Sequence, residues 1–98
     1  MTDCFTAREF LNLESHYSVA AIYAEIQKAQ DVYESGRELP AHIVISDCKR
    51  SVQLEFGISA EIDLENAMHK LDTMIDVLIG FKTELKLQGA EFLAIKNS

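Results

Sequence analysis

Apolar residues in the first third of the chain return at the spacing of an α-helix. The stripe begins at Val19 and ends at Tyr33, and mostly polar or small residues stand between its members. Gly36 is a typical residue to follow a helix. The pattern therefore predicts a helix over 18–35. The stripe consists of Val19, Ile22, Tyr23, Ile26, Ala29 and Tyr33.

A shorter segment before this stripe carries the signal of a helix start. Thr6 and Glu9 stand three residues apart, as in a capping box, and Phe10 follows them. This order predicts an N-terminal helix over 7–15. The sequence leaves open whether it joins the next helix or ends before Ser18, so we expect one N-terminal helix or two.

After Pro40 the hydrophobic pattern changes from the period of a helix to a period of two. Apolar and polar residues alternate over 41–46 and again over 52–62, and a short polar segment separates the two runs. Two alternating runs on either side of a polar turn are typical of a β-hairpin. We therefore predict a hairpin in the middle of the chain.

The last third of the chain has a seven-residue repeat with apolar first (a) and fourth (d) positions. Nine of the ten such positions are apolar, and the repeat continues through Gly80 and Gly89. We predict a helix that starts with Asp63 as its cap, runs to about 88 and continues to about 96, roughly 50 Å in all. In the alternative, the helix ends at Gly89 and 91–96 form a third strand. The a positions are Leu64, Leu71, Leu78, Leu85 and Phe92, and the d positions are Ala67, Met74, Phe81, Gln88 and Ile95.

Together these elements predict an α+β fold with the order α-β-β-α, in a single domain over 1–98. The long helix is also apolar at Met68, Ile75 and Val77, where a free-standing two-stranded coiled coil carries charges. A face this broad needs cover from more than one element, and a second copy of the chain is the simplest source. We therefore expect a homo-oligomer held by the C-terminal helix. Its predicted interface consists of Leu71, Leu78, Phe81, Leu85, Phe92 and Ile95.

Composition and charge narrow the classes of function. Nine basic residues against sixteen acidic ones give a net charge of −7, and no basic stripe is present. This balance argues against nucleic-acid binding, because such binding needs clustered lysine and arginine. No apolar run is long enough to cross a membrane, and the N-terminal residues lack the features of a secretory signal. With Cys4 and Cys48 far apart and outside any paired motif, we expect free thiols and a cytoplasmic protein.

One face of the predicted C-terminal helix is acidic and contains a histidine. Glu65, His69, Asp72 and Asp76 follow one another at helical spacing. Imidazole and carboxylates suit several divalent metals, so a metal-binding or small-ligand module is the alternative reading of this face. No second element supplies converging ligands, however, so we prefer a solvated acidic face and expect no metal and no cofactor.

The chain has none of the motifs that assemble a familiar catalytic site. His16 and His42 have no recognisable partner, and Lys49 and Arg50 form the only adjacent basic pair, in the predicted hairpin turn. Cys48 precedes that pair, and neighbouring cations favour a thiolate, although an incidental turn cysteine is the preferred interpretation. We therefore expect a protein that is not an enzyme.

These features favour a small acidic interaction protein, of the inhibitor, antitoxin, immunity or phage-accessory type. It would bind a protein partner with a basic surface by steric and electrostatic occlusion. The acidic helix face and the basic hairpin tip are the surfaces that we expect to contact the partner. The predicted partner-binding residues are Glu65, Asp72, Asp76, Lys49 and Arg50.

Overall fold

The computed structural model describes residues 4–13, 19–32 and 36–97. The chain divides into two compact units, Met1–Ala67 and Met68–Ser98. Within the described residues, the first unit holds all of the strands and the start of the only helix, and the second holds the rest of that helix. The elements are β1 (Phe5–Phe10), β2 (Ala20–Ile26), β3 (Gln30–Val32), β4 (Gly36–Glu38), β5 (Ala41–Asp47), β6 (Arg50–Glu55) and α1 (Glu61–Lys96).

Four of the strands form one antiparallel sheet in the order β1-β2-β5-β6, and β3 pairs with β4 in a separate two-stranded sheet. The fold is therefore a β-rich N-terminal region followed by one long helix. The predicted α-β-β-α order is wrong.

No N-terminal helix forms in the described part of the chain. Strand β1 takes the place of the helix predicted over 7–15, and β2 and β3 take the place of the helix predicted over 18–35. Residues 11–13, 19 and 27–29 of these two predictions are described but form neither helix nor strand, and residues 14–18 and 33–35 lie outside the described residues.

The wrong prediction over 18–35 has a simple origin. Ile22 and Ile26 are four residues apart, and a spacing of four fits one face of a helix and one face of a strand equally well. The register settles the choice, because Ile22 stands opposite Ile45 and Ala24 opposite Ile43 on β5. Cross-strand pairing with β-branched neighbours outweighs the local helical signal.

The alternation along the paired strands gives the large sheet two different faces. One face is apolar in its centre, while the opposite face is polar and includes Tyr23, Glu25 and His42. Most side chains of the apolar face are only half-buried. In the described residues, Ala20, Phe56 and Ala67 are the buried apolar residues. The apolar face is formed by Ile22, Ala24, Ile26, Ile43, Ile45, Val52 and Leu54.

The predicted hairpin is confirmed by β5 and β6, which a two-residue turn joins. Its second strand is shorter than the alternating run over 52–62 indicated, because β6 ends at Glu55. Beyond it, Ile58 forms an isolated bridge with Leu39 through two backbone hydrogen bonds of 2.7 and 3.0 Å. Ile62 already belongs to α1.

The long C-terminal helix is confirmed, and it is slightly longer than predicted. Helix α1 has 36 residues and continues through Gly80 and Gly89 to Lys96. The alternative in which 91–96 form a strand is wrong. Among the described residues, no helix is both long enough and apolar enough to cross a membrane.

Candidate interaction surface

The start of α1 is fixed by a carboxylate that accepts three hydrogen bonds. The Asp63 Oδ2 atom accepts from the backbone N–H and the hydroxyl of Ser59 and from the backbone N–H of Ala60, each at 3.0 Å. The sequence predicts Asp63 as the N-cap of this helix. In the structure Asp63 is instead the third residue of α1. It satisfies N–H groups at a helix end that have no partner within the helix. The backbone N–H of Ser59, its hydroxyl and then the N–H of Ala60 lower the pKa of Asp63.

Within the second unit, the apolar seam of the helix is largely exposed. We call the a and d positions from Leu71 to Ile95 the helix seam. Phe81 and Phe92 are each 63% exposed, and Ile95 is 76% exposed. Of the oligomer-interface residues predicted from the sequence, Leu71 is half-buried and the other five are exposed. The seam consists of Leu71, Met74, Leu78, Phe81, Leu85, Gln88, Phe92 and Ile95.

Apolar exposure on α1 extends beyond the seam. Met68, Ile75 and Val77, the flanking positions that the sequence indicated as apolar, are all about half exposed or more. Ile79 and Leu93 are exposed on a further side of the helix. Exposed apolar surface of this extent marks an interaction site. The surface is therefore the strongest candidate site in the described structure.

The middle of the seam forms an open groove that a side chain of another helix can enter. Leu78, Phe81 and Leu85 line it, and Lys82 and Lys86 stand at its side. Ridges and grooves of this kind are the units through which paired helices interlock. The groove therefore gives the apolar surface a shape that suits a helix as its partner.

Three polar side chains of α1 form hydrogen bonds within the helix. The Thr73 and Thr83 hydroxyls donate to the backbone carbonyls of His69 and Ile79, at 2.8 and 2.9 Å. The Gln88 side-chain amide donates to Glu84 at 3.0 Å.

The acidic face predicted from the sequence lies on α1, and its members Glu65, His69, Asp72 and Asp76 are all exposed. Among the described residues, no three histidine, cysteine, aspartate or glutamate side chains are grouped so that they could hold a metal ion. The geometry therefore gives no support to the metal-binding alternative. A role of Glu65, Asp72 and Asp76 in partner binding stays a prediction.

The basic tip of the hairpin is where the sequence predicted it. Cys48 and Lys49 form the turn, and Arg50 begins β6 opposite Asp47. The backbone of Cys48 has a positive φ of 59°. Both cysteines, Cys4 and Cys48, are free and exposed. A contact of Lys49 and Arg50 with a partner stays a prediction.

The sequence did not indicate a polar cluster on the large sheet. Glu25 on β2 stands opposite His42 on β5, and their side chains approach to 3.3 Å between Oε1 and Nε2. Gln27 Nε2 donates to Glu25 Oε1 at 2.9 Å, and the Tyr23 hydroxyl donates to Glu25 Oε2 at 3.0 Å. The cluster therefore links the two central strands through side chains.

The hydrogen bonds of this cluster also set its ionisation. The bond from Gln27, and then the bond from Tyr23, lower the pKa of Glu25. The same bond to Glu25 raises the pKa of Tyr23. Glu25 is thereby held as a carboxylate and Tyr23 as a neutral phenol. Alternation over 20–26 could have placed Tyr23 and Glu25 on one strand face, but the partner His42 is visible only once the strands are paired.

No protein-family model matches the chain, and no curated protein and no solved structure is significantly similar to it. The fold and the exposed seam of α1 alone therefore define the class of protein, an α+β chain whose long C-terminal helix exposes apolar residues.

Proposed function

We propose that the chain is a small acidic interaction protein without enzymatic activity. It assembles with further copies of itself through α1 and binds a protein partner with a basic surface. The observation that supports the proposal is the exposed apolar seam of α1. In the second unit of the chain, the a and d positions that form this seam each recur every seven residues between Leu71 and Ile95.

The stability of an extended helix gives the first argument. Helices gain most of their stability from packing of an apolar face rather than from their own hydrogen bonds. The described residues of the second unit belong almost entirely to α1, and the seam is mostly exposed. A covering helix from another copy would remove this apolar surface from water, at about 25 cal/mol for each Å².

The polar side chains and the net charge of the chain give a second reason for the proposal. The described residues hold no grouped metal ligands, and the polar side chains of Tyr23, Glu25 and Gln27 at the large sheet are hydrogen-bonded to one another. The net charge of −7 favours a basic partner over a nucleic acid. An interaction protein of the inhibitor, antitoxin, immunity or phage-accessory type accounts for these features together.

Substitution of the seam tests the proposal. The double variant Leu78→Lys with Leu85→Lys places two charges in the centre of the seam. We expect it to be monomeric in sedimentation equilibrium at concentrations at which the unsubstituted chain is an oligomer. Buried unpaired charges remove several kcal/mol of association free energy, roughly 2–4 for each.

A matched control places the same charges on the opposite side of the helix. Thr83→Lys with Ala90→Lys substitutes two exposed positions away from the seam. We expect this variant to sediment as the unsubstituted chain does. Equal association of the seam variant and the control would reject the seam as the contact surface.

A further inference from the structure

A single polar residue interrupts the helix seam. Of the eight seam positions between Leu71 and Ile95, Gln88 alone is not apolar, and it occupies a d position. Its side-chain Nε2 donates to Glu84 Oε1 at 3.0 Å. A glutamine amide has two N–H donors and one acceptor oxygen. After the bond to Glu84, one N–H and the oxygen are still able to bond with a group across the seam.

The orientation of two paired helices decides which residue meets Gln88. In an antiparallel pair, a positions of one helix face d positions of the other. Every a position of the seam is leucine or phenylalanine. Gln88 would then lie against an apolar side chain in every antiparallel register, and its amide would lose hydrogen bonds to water without replacement.

A parallel pair in register has the opposite consequence. Equivalent positions then face each other, so Gln88 meets Gln88 of the second copy. One amide donates to the oxygen of the other, and both keep their bonds to Glu84. A single polar layer of this kind is known to specify register and orientation in coiled coils at some cost in stability.

The charges beside the seam are compatible with this arrangement. In a parallel pair, a g position faces the e position five residues later on the other helix. Glu91 then faces Lys96 of the second copy, and no pair of flanking positions brings like charges together. A fully overlapping antiparallel pair would also gain an attraction, between Lys70 and Glu91. Charge therefore permits both orientations, and Gln88 distinguishes them.

We propose that Gln88 directs two copies of this chain to pair their C-terminal helices parallel and in register over 71–95. This inference rests on the proposed self-association and adds its orientation, its register and the residue that sets them.

Distances between two spin labels on the intact chain test the orientation. Asn97→Cys, in a Cys4→Ser and Cys48→Ser background, carries the label just beyond α1 and outside the seam. A parallel pair in register places the two labels within about 35 Å, since helices pack 8–10 Å apart. A fully overlapping antiparallel pair over 71–95 places residue 97 level with residue 69 of the other copy, so the two labels are about 42 Å apart along the helix axis, at 1.5 Å for each residue. The same label at Thr83→Cys, near the middle of the helix, gives a short distance in either orientation and serves as the control.

Substitution of Gln88 tests its role. Gln88→Leu removes the polar layer, so we expect roughly tenfold tighter association together with a second, long-distance population at Asn97. Gln88→Asn keeps an amide in the layer, and we expect it to retain a single short distance. A single short distance in Gln88→Leu would overturn the role of Gln88, since orientation would then not depend on it.

The outcomes separate this inference from the proposed function. A chain that is monomeric by mass defeats the self-association itself. A dimer whose Asn97 labels lie about 42 Å apart or more defeats the parallel orientation and leaves self-association intact. An assembly of three or more copies defeats the pairing of two.

Discussion

Cys48 occupies a backbone conformation that residues with a side chain rarely adopt. Its φ is 59°, in the two-residue turn between β5 and β6. The left-handed region costs a non-glycine residue about 1–2 kcal/mol because Cβ approaches the following carbonyl oxygen. A glycine at this position would avoid that cost and would lose about 0.5–1 kcal/mol through its greater freedom in the unfolded chain. The strain that a glycine would relieve is larger than the stability that it would lose through its freedom in the unfolded chain.

We therefore expect Cys48→Gly to raise the free energy of unfolding by about 0.5–1 kcal/mol, measured by urea denaturation at a fixed protein concentration. Cys48→Ala is the matched control, because it also removes the thiol but keeps the Cβ atom. If Cys48→Gly unfolds more easily than Cys48→Ala, strain in this turn is not the dominant effect.

The side-chain cluster on the sheet shows what sequence reasoning misses at the scale of single residues. His42 had no recognisable partner in the sequence, yet Glu25 lies opposite it across two strands. The two residues are separated by the β3–β4 segment, and no local spacing connects them. Only the register of β2 against β5 brings them together. The exposed seam residues, by contrast, were predictable because they lie on one element.

At the scale of elements, the helix and the hairpin were predictable, whereas the N-terminal strands were not. A repeat of seven sustained from Leu64 to Ile95 fits a helix and no other element. The hairpin was predictable because its two runs alternate on either side of a tight turn. In the N-terminal region, Thr6 and Glu9 resemble a helix cap, but their segment pairs as β1 with β2. Long-range strand pairing decided that region, and it leaves little trace in local spacing.

The beginning of α1 depends on one carboxylate, which makes its stability sensitive to pH. Asp63→Ala removes the acceptor that Ser59 and Ala60 share, so we expect Tm to fall by a few degrees at neutral pH. The folded pKa of Asp63 is lowered from an ordinary value of 3.8. The ionised Asp63 carboxylate therefore contributes its full stabilisation above pH 3.8. This stabilisation is lost as the pH falls through the lowered pKa of the folded state.

Circular dichroism at neutral and acidic pH measures this difference. The gap in Tm between the unsubstituted chain and Asp63→Ala should close on acidification. Asp72→Ala, at an exposed position within the same helix, should show no comparable loss at neutral pH. A gap that stays constant through the acid range would contradict the ionised Asp63 as the source of the effect.

At the scale of the whole molecule, the acidic surface is expected to guide the encounter with a basic partner. Replacing three acidic residues by lysine changes the charge by two units at each position, so the net charge rises from −7 to −1. We expect association with such a partner to slow by about tenfold or more at low salt, and to depend less on salt, in stopped-flow measurements. The variant carries Glu65→Lys, Asp72→Lys and Asp76→Lys.

A second triple variant with the same net charge shows whether the effect comes from the acidic face of α1 or from the net charge of the whole chain. It changes exposed acidic residues of the strands and leaves the helix intact. Unaltered association in the helix variant, or an equal effect in both variants, would reject a specific contact through the helix face. The control carries Glu9→Lys, Asp31→Lys and Asp47→Lys.

The proposed self-association requires that further copies of the chain cover the seam of α1. Native mass spectrometry of the purified protein over a range of concentrations tests it most directly, because it gives the number of chains and any added mass at once. We expect an assembly of two 11.0 kDa chains with no added mass. A single 11.0 kDa species at every concentration would contradict it.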